Sequence, residues 1–434
     1  MKIAILGFGA EGQSAHRYFR TNFPEYQIDI YDQKFIANEK ITIRQIDKLT
    51  DINFSSYDMI IRSPSVPPKP IYQKALADHG GRADKFELTS CTKIFLDKCS
   101  APIIGVTGTK GKGTVCSIAK ALLAAAGKHA FLVGNIGTPA LDILDQIKPD
   151  STVVYEMSSF QLWDLKKSPQ IAIYTLLAPD HLDVHGSLDD YIEAKTQIAR
   201  HQNPEDTFIY YTGSQIATAA AALSPATHKF PYPSESGAYI RDDNFYFAEH
   251  KICSTDTLNL PGHHNKENAL AAITAVWSII DDPVAIAKGL KDFTSLPHRL
   301  EFVRELDDVK YYDDNFSSAT PALEVAVQAF DNPVILIAGG YDKGIDYSDL
   351  SKFLAEQPNL KKIILIGQTA KKIAAGLPEN LFTHADTLHS AVTSARELSS
   401  AGDVILMSPG CASFDMFKNF SDRGDQFQTL VRDL

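Results

Sequence analysis

The sequence predicts an α/β protein built on mostly parallel sheets. The prediction rests on three observations: a strand–turn–helix rhythm that restarts three times, a glycine-rich turn directly after an apolar run in the first two segments, and a length of 434 residues, more than one hydrophobic core supports. The composition is that of an ordinary globular chain, with 44% hydrophobic and 22% charged residues.

In the first segment Lys2–Leu6 reads as a strand, followed by the turn Gly7-Phe8-Gly9-Ala10-Glu11-Gly12 and a helix to about Arg20. A second strand, Gln27–Tyr31, ends in Asp32, and a third, Met59–Ile61, runs into the proline-rich loop Ser63-Pro64-Ser65-Val66-Pro67-Pro68. The second segment opens with the buried strand Ala101–Val106, the turn Gly108-Thr109-Lys110-Gly111-Lys112-Gly113-Thr114 and a helix over Val115–Ala126. It continues through strands Thr152–Glu156 and Ile171–Leu176 and a helix Asp189–His201. The third, after His298-Arg299, carries strands Val334–Ala338, Lys362–Ile366 and Asp403–Ser408.

A net charge of -11 argues against nucleic acid or an anionic membrane surface as partner. The five cysteines form no C-x-x-C pair, as expected of reduced thiols in a cytoplasmic protein. The N-terminal apolar run is too short for a signal peptide, and no stretch approaches a membrane span. A cytoplasmic monomer is the expectation.

The turn at Gly108–Thr114 suits a triphosphate. Backbone N–H groups at a helix N-terminus can face phosphate oxygens while Lys112 supplies a mobile cation. It departs from G-x-x-x-x-G-K-[ST] in two places: Val106 stands where the first glycine belongs, and Gly113 where the magnesium-binding hydroxyl belongs. Thr114, one residue on, can substitute for that hydroxyl. Gly7-x-Gly9-x-x-Gly12 with Asp32 fits a dinucleotide fingerprint and, read alone, predicts a nicotinamide-dependent oxidoreductase. Any nucleotide diphosphate would meet the same needs, and an oxidoreductase leaves the second loop unexplained.

Glu156 ends its strand beside the phosphate loop, where a magnesium ligand is needed. In an extended segment His181, Asp183 and His185 would share one face and could serve a metal or substrate. Lys195 follows ten residues later on a helix. A bare ammonium there would repel magnesium, whereas a carbamylated lysine is an anionic oxygen ligand; the sequence leaves both open.

Taken together, the phosphate loop, Asn135-Ile136-Gly137-Thr138-Pro139, Glu156-Met157-Ser158-Ser159-Phe160-Gln161, Asp180-His181, Lys195, Gly262-His263-His264-Asn265-x-x-Asn268 and His298-Arg299 resemble the Mur ligase family of ATP-dependent amide-bond-forming enzymes. The run Leu406–Phe420, with Arg423-Gly424, is most similar to the D-glutamate-adding branch. The resemblance implies a Rossmann-like UDP-sugar domain over 1–98, a central P-loop NTPase-like ATP domain over 99–297 and a Rossmann-like amino-acid domain over 298–434. It implies ligation of D-glutamate to UDP-N-acetylmuramoyl-L-alanine through an acyl phosphate, with ATP and two Mg2+ ions.

Residue by residue, the resemblance puts Gly9, Gly12, Asp32 and Ser63 at the uridine diphosphate, and Asn135 and His181 at the acceptor carboxylate. It assigns Gly108, Thr109, Lys110, Gly111, Lys112, Gly113 and Thr114 to the ATP phosphates, with Asn268, Arg299 and Asp314 also on ATP. Thr114, Glu156, His181 and carbamylated Lys195 are the implied metal ligands, and Lys112, Glu156, His181 and Lys195 the catalytic set. Ser318, Lys343, Ser408, Phe414 and Phe420 would surround D-glutamate. One departure touches specificity: Phe316 stands where a lysine is typical of that branch. The competing expectations are a Mur-type ligase for another amino acid, the oxidoreductase, and a non-catalytic nucleotide-binding relative.

Overall fold

A computed structural model describes residues 1–33 and 41–434. The chain forms two compact units, Met1–Thr257 with Glu267–Asp292, and Leu258–Lys266 with Phe293–Leu434. No helix among the described residues is long and apolar enough to cross a membrane.

The first unit holds two parallel sheets. One has the order β3-β2-β1-β4-β5, from β1 (Lys2–Leu6), β2 (Gln27–Asp32), β3 (Ile43–Gln45), β4 (Met59–Arg62) and β5 (Glu87–Ser90). Ile3, Ala4, Ile5 and Leu6 are all buried, the unbroken apolar run that a sheet covered on both faces requires. The other has the order β11-β10-β9-β6-β8-β7, from β6 (Ile103–Thr107), β7 (Ala130–Gly134), β8 (Thr152–Glu156), β9 (Ile171–Tyr174), β10 (Thr207–Tyr211) and β11 (His228–Tyr232). Every residue of β6, β8 and β9 is buried, so their C-terminal ends are rigid platforms for the loops that follow.

Polar ties join these two layers. Asp142 accepts from Ser14 Oγ at 2.9 Å and pairs with Arg17 at 2.6 Å. Asp164 pairs with buried Arg62 and with Lys93 at 2.8 Å, which with burial opposing holds its carboxyl below the usual range.

A small antiparallel sheet, β12 (Ala238–Arg241), β13 (Asn244–Phe247) and β14 (His250–Ser254), was not expected from the sequence. Its first turn is Asp242-Asp243 with both φ positive, 47° and 54°, the geometry that joins tight hairpins but here lacks the glycine that signals it.

In the second unit the order is β15-β16-β20-β17-β18-β19, with β15 (Glu301–Leu306) antiparallel to β16 (Val309–Asp313) and the rest parallel: β17 (Val334–Gly339), β18 (Leu360–Ile366), β19 (Phe382–His384) and β20 (Val404–Met407). The α/β class with parallel sheets is thus as expected. Two local readings need correction. The helix expected from Val115 begins at Lys112, because Gly111 adopts φ 86° and turns the chain directly into the helix. The segment expected to be extended through His181–His185 is one helical turn, Leu182–His185, enclosed by His181 at φ 52° and Gly186 at φ 82°.

Candidate active site

The phosphate loop leaves the buried end of β6 and closes onto β9. Thr109 N–H donates to Leu176 O at 2.7 Å, and Thr175 Oγ1 donates to Lys110 O at 2.6 Å. Two glycines are required by contact. A Cβ on Gly108 would lie 2.0 Å from Thr175 Oγ1, and one on Gly111 would lie 2.4 Å from Asn268 Oδ1. Asn268 therefore packs directly on the loop. Helix Lys112–Ala125 starts without a side-chain cap, so its first N–H groups remain available to an anion. Lys112 Nζ donates to Thr109 O at 3.1 Å, and Lys110 is exposed. Gly113 offers no hydroxyl; Thr114, buried on the next position, is the first hydroxyl residue of the helix.

Glu156 ends β8 beside this loop, paired in register with Val106 and Gly134. Its Oε1 accepts from Asn135 Nδ2 at 2.9 Å, whereas Oε2 is buried with no hydrogen-bond partner. A buried carboxylate oxygen left open in this way fits a hard cation such as Mg2+. Lys195 is buried on helix Leu188–Arg200, donating to Gly108 O at 2.8 Å and lying 4.9 Å from the Tyr191 ring centroid. Burial, reinforced by the nearby Lys112 charge, pushes its pKa well below the lysine range, although Asp180 and Glu156 pull the other way.

His181 is exposed, its Nε2 3.6 Å from Asp180 Oδ2. His185 does not join it. The helical turn carries that ring inward, stacked on Phe160 and beside Trp163, with Nε2 at 2.9 Å from Ser159 Oγ. Burial, with Lys195 nearby, holds it below the usual histidine range, and the ring packs as a buried core side chain.

At the N-terminal turn, Gly7 has φ 85°, and a Cβ on Gly12 would meet Gly7 O at 2.0 Å. Gly9 caps helix Ala10–Asn22 with open space at its Cβ position. Asp32 Oδ2 accepts from Phe8 N–H at 2.7 Å, and Ser63 Oγ donates to Gly7 O at 2.9 Å. Both side chains expected at the nucleotide therefore also hold the turn in shape.

In the second unit Asp314 is buried, accepting from Ser408 Oγ at 2.7 Å and from Leu300 N–H at 3.1 Å. Burial pushes its pKa up to about 6. Ser408, expected beside the amino acid, spends its hydroxyl on this carboxyl. Ser318, Lys343, Phe414 and Phe420 are exposed. Arg299 lies over Phe316. Sequence reasoning missed the buried frame beneath them. Arg423 Nε donates to Asn315 Oδ1 at 2.7 Å, and Asp313 accepts from Gln428 at 2.9 Å while bonded to His298 Nδ1 at 2.7 Å. Those hydrogen bonds account for the one His/Asp/Glu cluster with metal-like spacing among the described residues, His298, Glu301 and Asp313.

Residues 106–276 match the Mur ligase middle domain, and residues 298–411 match the Mur ligase, glutamate ligase domain. A Clostridium tetani protein named UDP-N-acetylmuramoylalanine--D-glutamate ligase is 33% identical, covering 100% of this chain and 97% of its own. The chain belongs to the Mur ligase family. An Acetivibrio thermocellus protein of the same name is 35% identical over 100% of this Mur ligase and 96% of its own length. Among solved structures, the UDP-N-acetylmuramate-alanine ligase MurC from Thermotoga maritima superposes with a TM-score of 0.61 at 17% identity, covering 100% and 99% of the two chains. MurF ligase from Thermotoga maritima, solved in complex with ADP, gives 0.56 at 15%, covering 100% and 95%. At such identities these two establish the fold. Membership makes this Mur ligase an ATP-dependent, amide-bond-forming enzyme that uses Mg2+. It overturns the oxidoreductase expectation, and the glycine turn after β1 is one element of a Mur ligase.

Proposed function

We propose that this Mur ligase joins D-glutamate to UDP-N-acetylmuramoyl-L-alanine in peptidoglycan precursor synthesis, in the cytoplasm and as a monomer. The observation that carries the chemistry is the pairing of Glu156, with one buried oxygen unpartnered, and buried Lys195, bonded to Gly108 O, beside a glycine phosphate loop. End-to-end similarity to ligases named for D-glutamate supports the substrate choice. The three-domain division at 98/99 and 297/298 is part of the same proposal.

A carboxylate is a poor electrophile. In the proposed reaction the L-alanine carboxylate attacks the γ-phosphorus of ATP, the bond to ADP breaks, and an acyl phosphate forms. The D-glutamate amine then attacks the acyl carbon, phosphate leaves, and the amine gives up a proton. Gly108–Thr114 and the open N–H groups of the following helix bind the phosphates, with the Lys112 ammonium offsetting repulsion between triphosphate and carboxylate. Asn268 and Arg299 complete the nucleotide contacts.

Glu156, Thr114, His181 and Lys195 would hold two Mg2+ ions, which when bound screen the phosphate charge and stabilise the oxyanion. Burial lowers the proton affinity of the Lys195 amine and so favours the free base, the form that adds to CO2. A new N–C bond and loss of one proton convert Lys195 into a carbamate anion suited to that role. Gly9, Gly12, Asp32 and Ser63 bind the uridine diphosphate, and Asn135, through its bond to Glu156, orients the acceptor. Lys343, with Ser318, Phe414 and Phe420, receives the anionic amino acid.

The test is phosphate release from ATP with UDP-N-acetylmuramoyl-L-alanine and amino acids supplied one at a time. Stimulation by D-glutamate alone is expected; stimulation only by another amino acid reassigns the substrate, and silence with all of them rejects the reading. Lys112→Ala should lose nearly all turnover.

A further inference from the structure

The second unit carries an aromatic–cation stack centred on Phe316, a side chain to which the reaction above gives no role. Phe316 N–H donates to His298 O at 2.9 Å, which sets residue 316 beside the His298-Arg299 turn. The Arg299 guanidinium carbon lies 5.2 Å from the Phe316 ring centroid. Phe316 in turn meets Phe420 edge to face, with centroids 5.4 Å apart and planes at 84°. Phe316 is 47% exposed and Phe420 38%, so two large apolar rings stay open to solvent.

Among the described residues no carboxylate lies within ion-pair reach of Arg299. The acidic group that feels its charge, Asp314, is buried and already bonded to Ser408 and Leu300. On the other side His264 is held neutral, its pKa pushed down to about 4 by burial and then by Arg299 itself. The guanidinium thus keeps its donors for a ligand while its plane is restrained by the ring. A free arginine would lose that rotamer freedom on binding; a stacked one has already lost much of it.

We propose that Phe316 is a positioning residue for the nucleotide, its ring holding Arg299 as a preformed fork for an anionic oxygen of a nucleoside phosphate. This rests on the ATP-dependent reading of the site. It also gives a physical role to the residue that replaces a lysine: a lysine ammonium at that place would repel the guanidinium rather than support it.

The probe is ADP with Mg2+, titrated calorimetrically into the full chain without acceptor or amino acid. Phe316→Tyr should bind ADP like the parent. Phe316→Leu, which keeps apolar volume but removes the π face, should weaken ADP about five-fold, within the range of a cation–π contact, and Phe316→Lys should weaken it more. In turnover, Phe316→Leu should raise KM for ATP with kcat unchanged. Combined with Arg299→Ala, Phe316→Leu should add nothing.

Unaltered ADP affinity in Phe316→Leu, or additive effects of the two substitutions, would overturn the proposal. So would a rise in KM for D-glutamate alone. If the parent chain itself fails to bind ADP, the ATP-dependent reading has failed instead.

Discussion

The Gln161 side-chain amide donates a 2.6 Å hydrogen bond to the Glu11 carboxylate. The other end of that amide, Oε1, accepts from Ser158 N–H at 2.9 Å, so Gln161 is held at both ends. One contact thereby ties the first turn of helix Ala10–Asn22 to the loop that leaves Glu156. Glu11 Oε2 is buried without a partner, and burial pushes the pKa up, against the Gln161 hydrogen bond and the Arg62 charge.

Removing this tie should cost stability. Glu11→Ala leaves the Gln161 amide unpaired in a buried place, an expected loss of about 1–3 kcal/mol, read from urea denaturation. Glu11→Gln, which keeps an acceptor oxygen, should cost less. Equal stability of Glu11→Ala and the parent would show that the contact carries no weight.

Lys195→Ala should abolish turnover, and formate or acetate should restore part of it by supplying the missing anionic oxygen. Lys195→Arg should be inactive without rescue, because a guanidinium stays protonated and fills the space. An active Lys195→Arg would refute the carbamate role.

Gly111→Ala combines an unfavourable φ of 86° with a Cβ 2.4 Å from Asn268 Oδ1. Since Asn268 must move off the loop, ADP affinity should fall, while the left-handed conformation itself should cost folding stability on the order of 1–2 kcal/mol. Calorimetry decides, and parental affinity in Gly111→Ala would place the nucleotide elsewhere.

Asp314 makes a pH prediction with a definite sign. Its folded pKa, about 6, lies above the ordinary aspartate value of 3.8, so the folded state holds its proton more tightly than the unfolded one. Its contribution is fully present below pH 4 and is lost as pH rises through 6, by up to roughly 3 kcal/mol. Asp314→Asn should lack that component. Denaturation midpoints from pH 4 to 7 for both chains test it, and parallel curves would count against it.

The legible part of this molecule was its local grammar. Glycine turns after apolar runs marked the N-terminal turn and the phosphate loop, and β8 delivered Glu156 at its C-terminal end as its pattern implied. Hairpins turned by Asp242-Asp243 and Asp307-Asp308 were missed, because aspartate in a left-handed turn looks like any solvated acid. The histidine pair was misread for a related reason: alternation assumes a strand, whereas Leu182–His185 is one helical turn that separates His181 from His185.

By itself the sequence determined the α/β class, the order of the motifs and the side chains available for carboxylate activation, because strand periodicity and glycine turns are set by near neighbours in the chain. Only the tertiary structure decided what those side chains become. Burial gives Lys195 its low proton affinity and leaves Glu156 with an unpaired oxygen. Long-range packing brings Gln161 to Glu11 and Arg423 to Asn315. Desolvation and hydrogen-bond completion depend on partners distant in the chain, which no local pattern encodes.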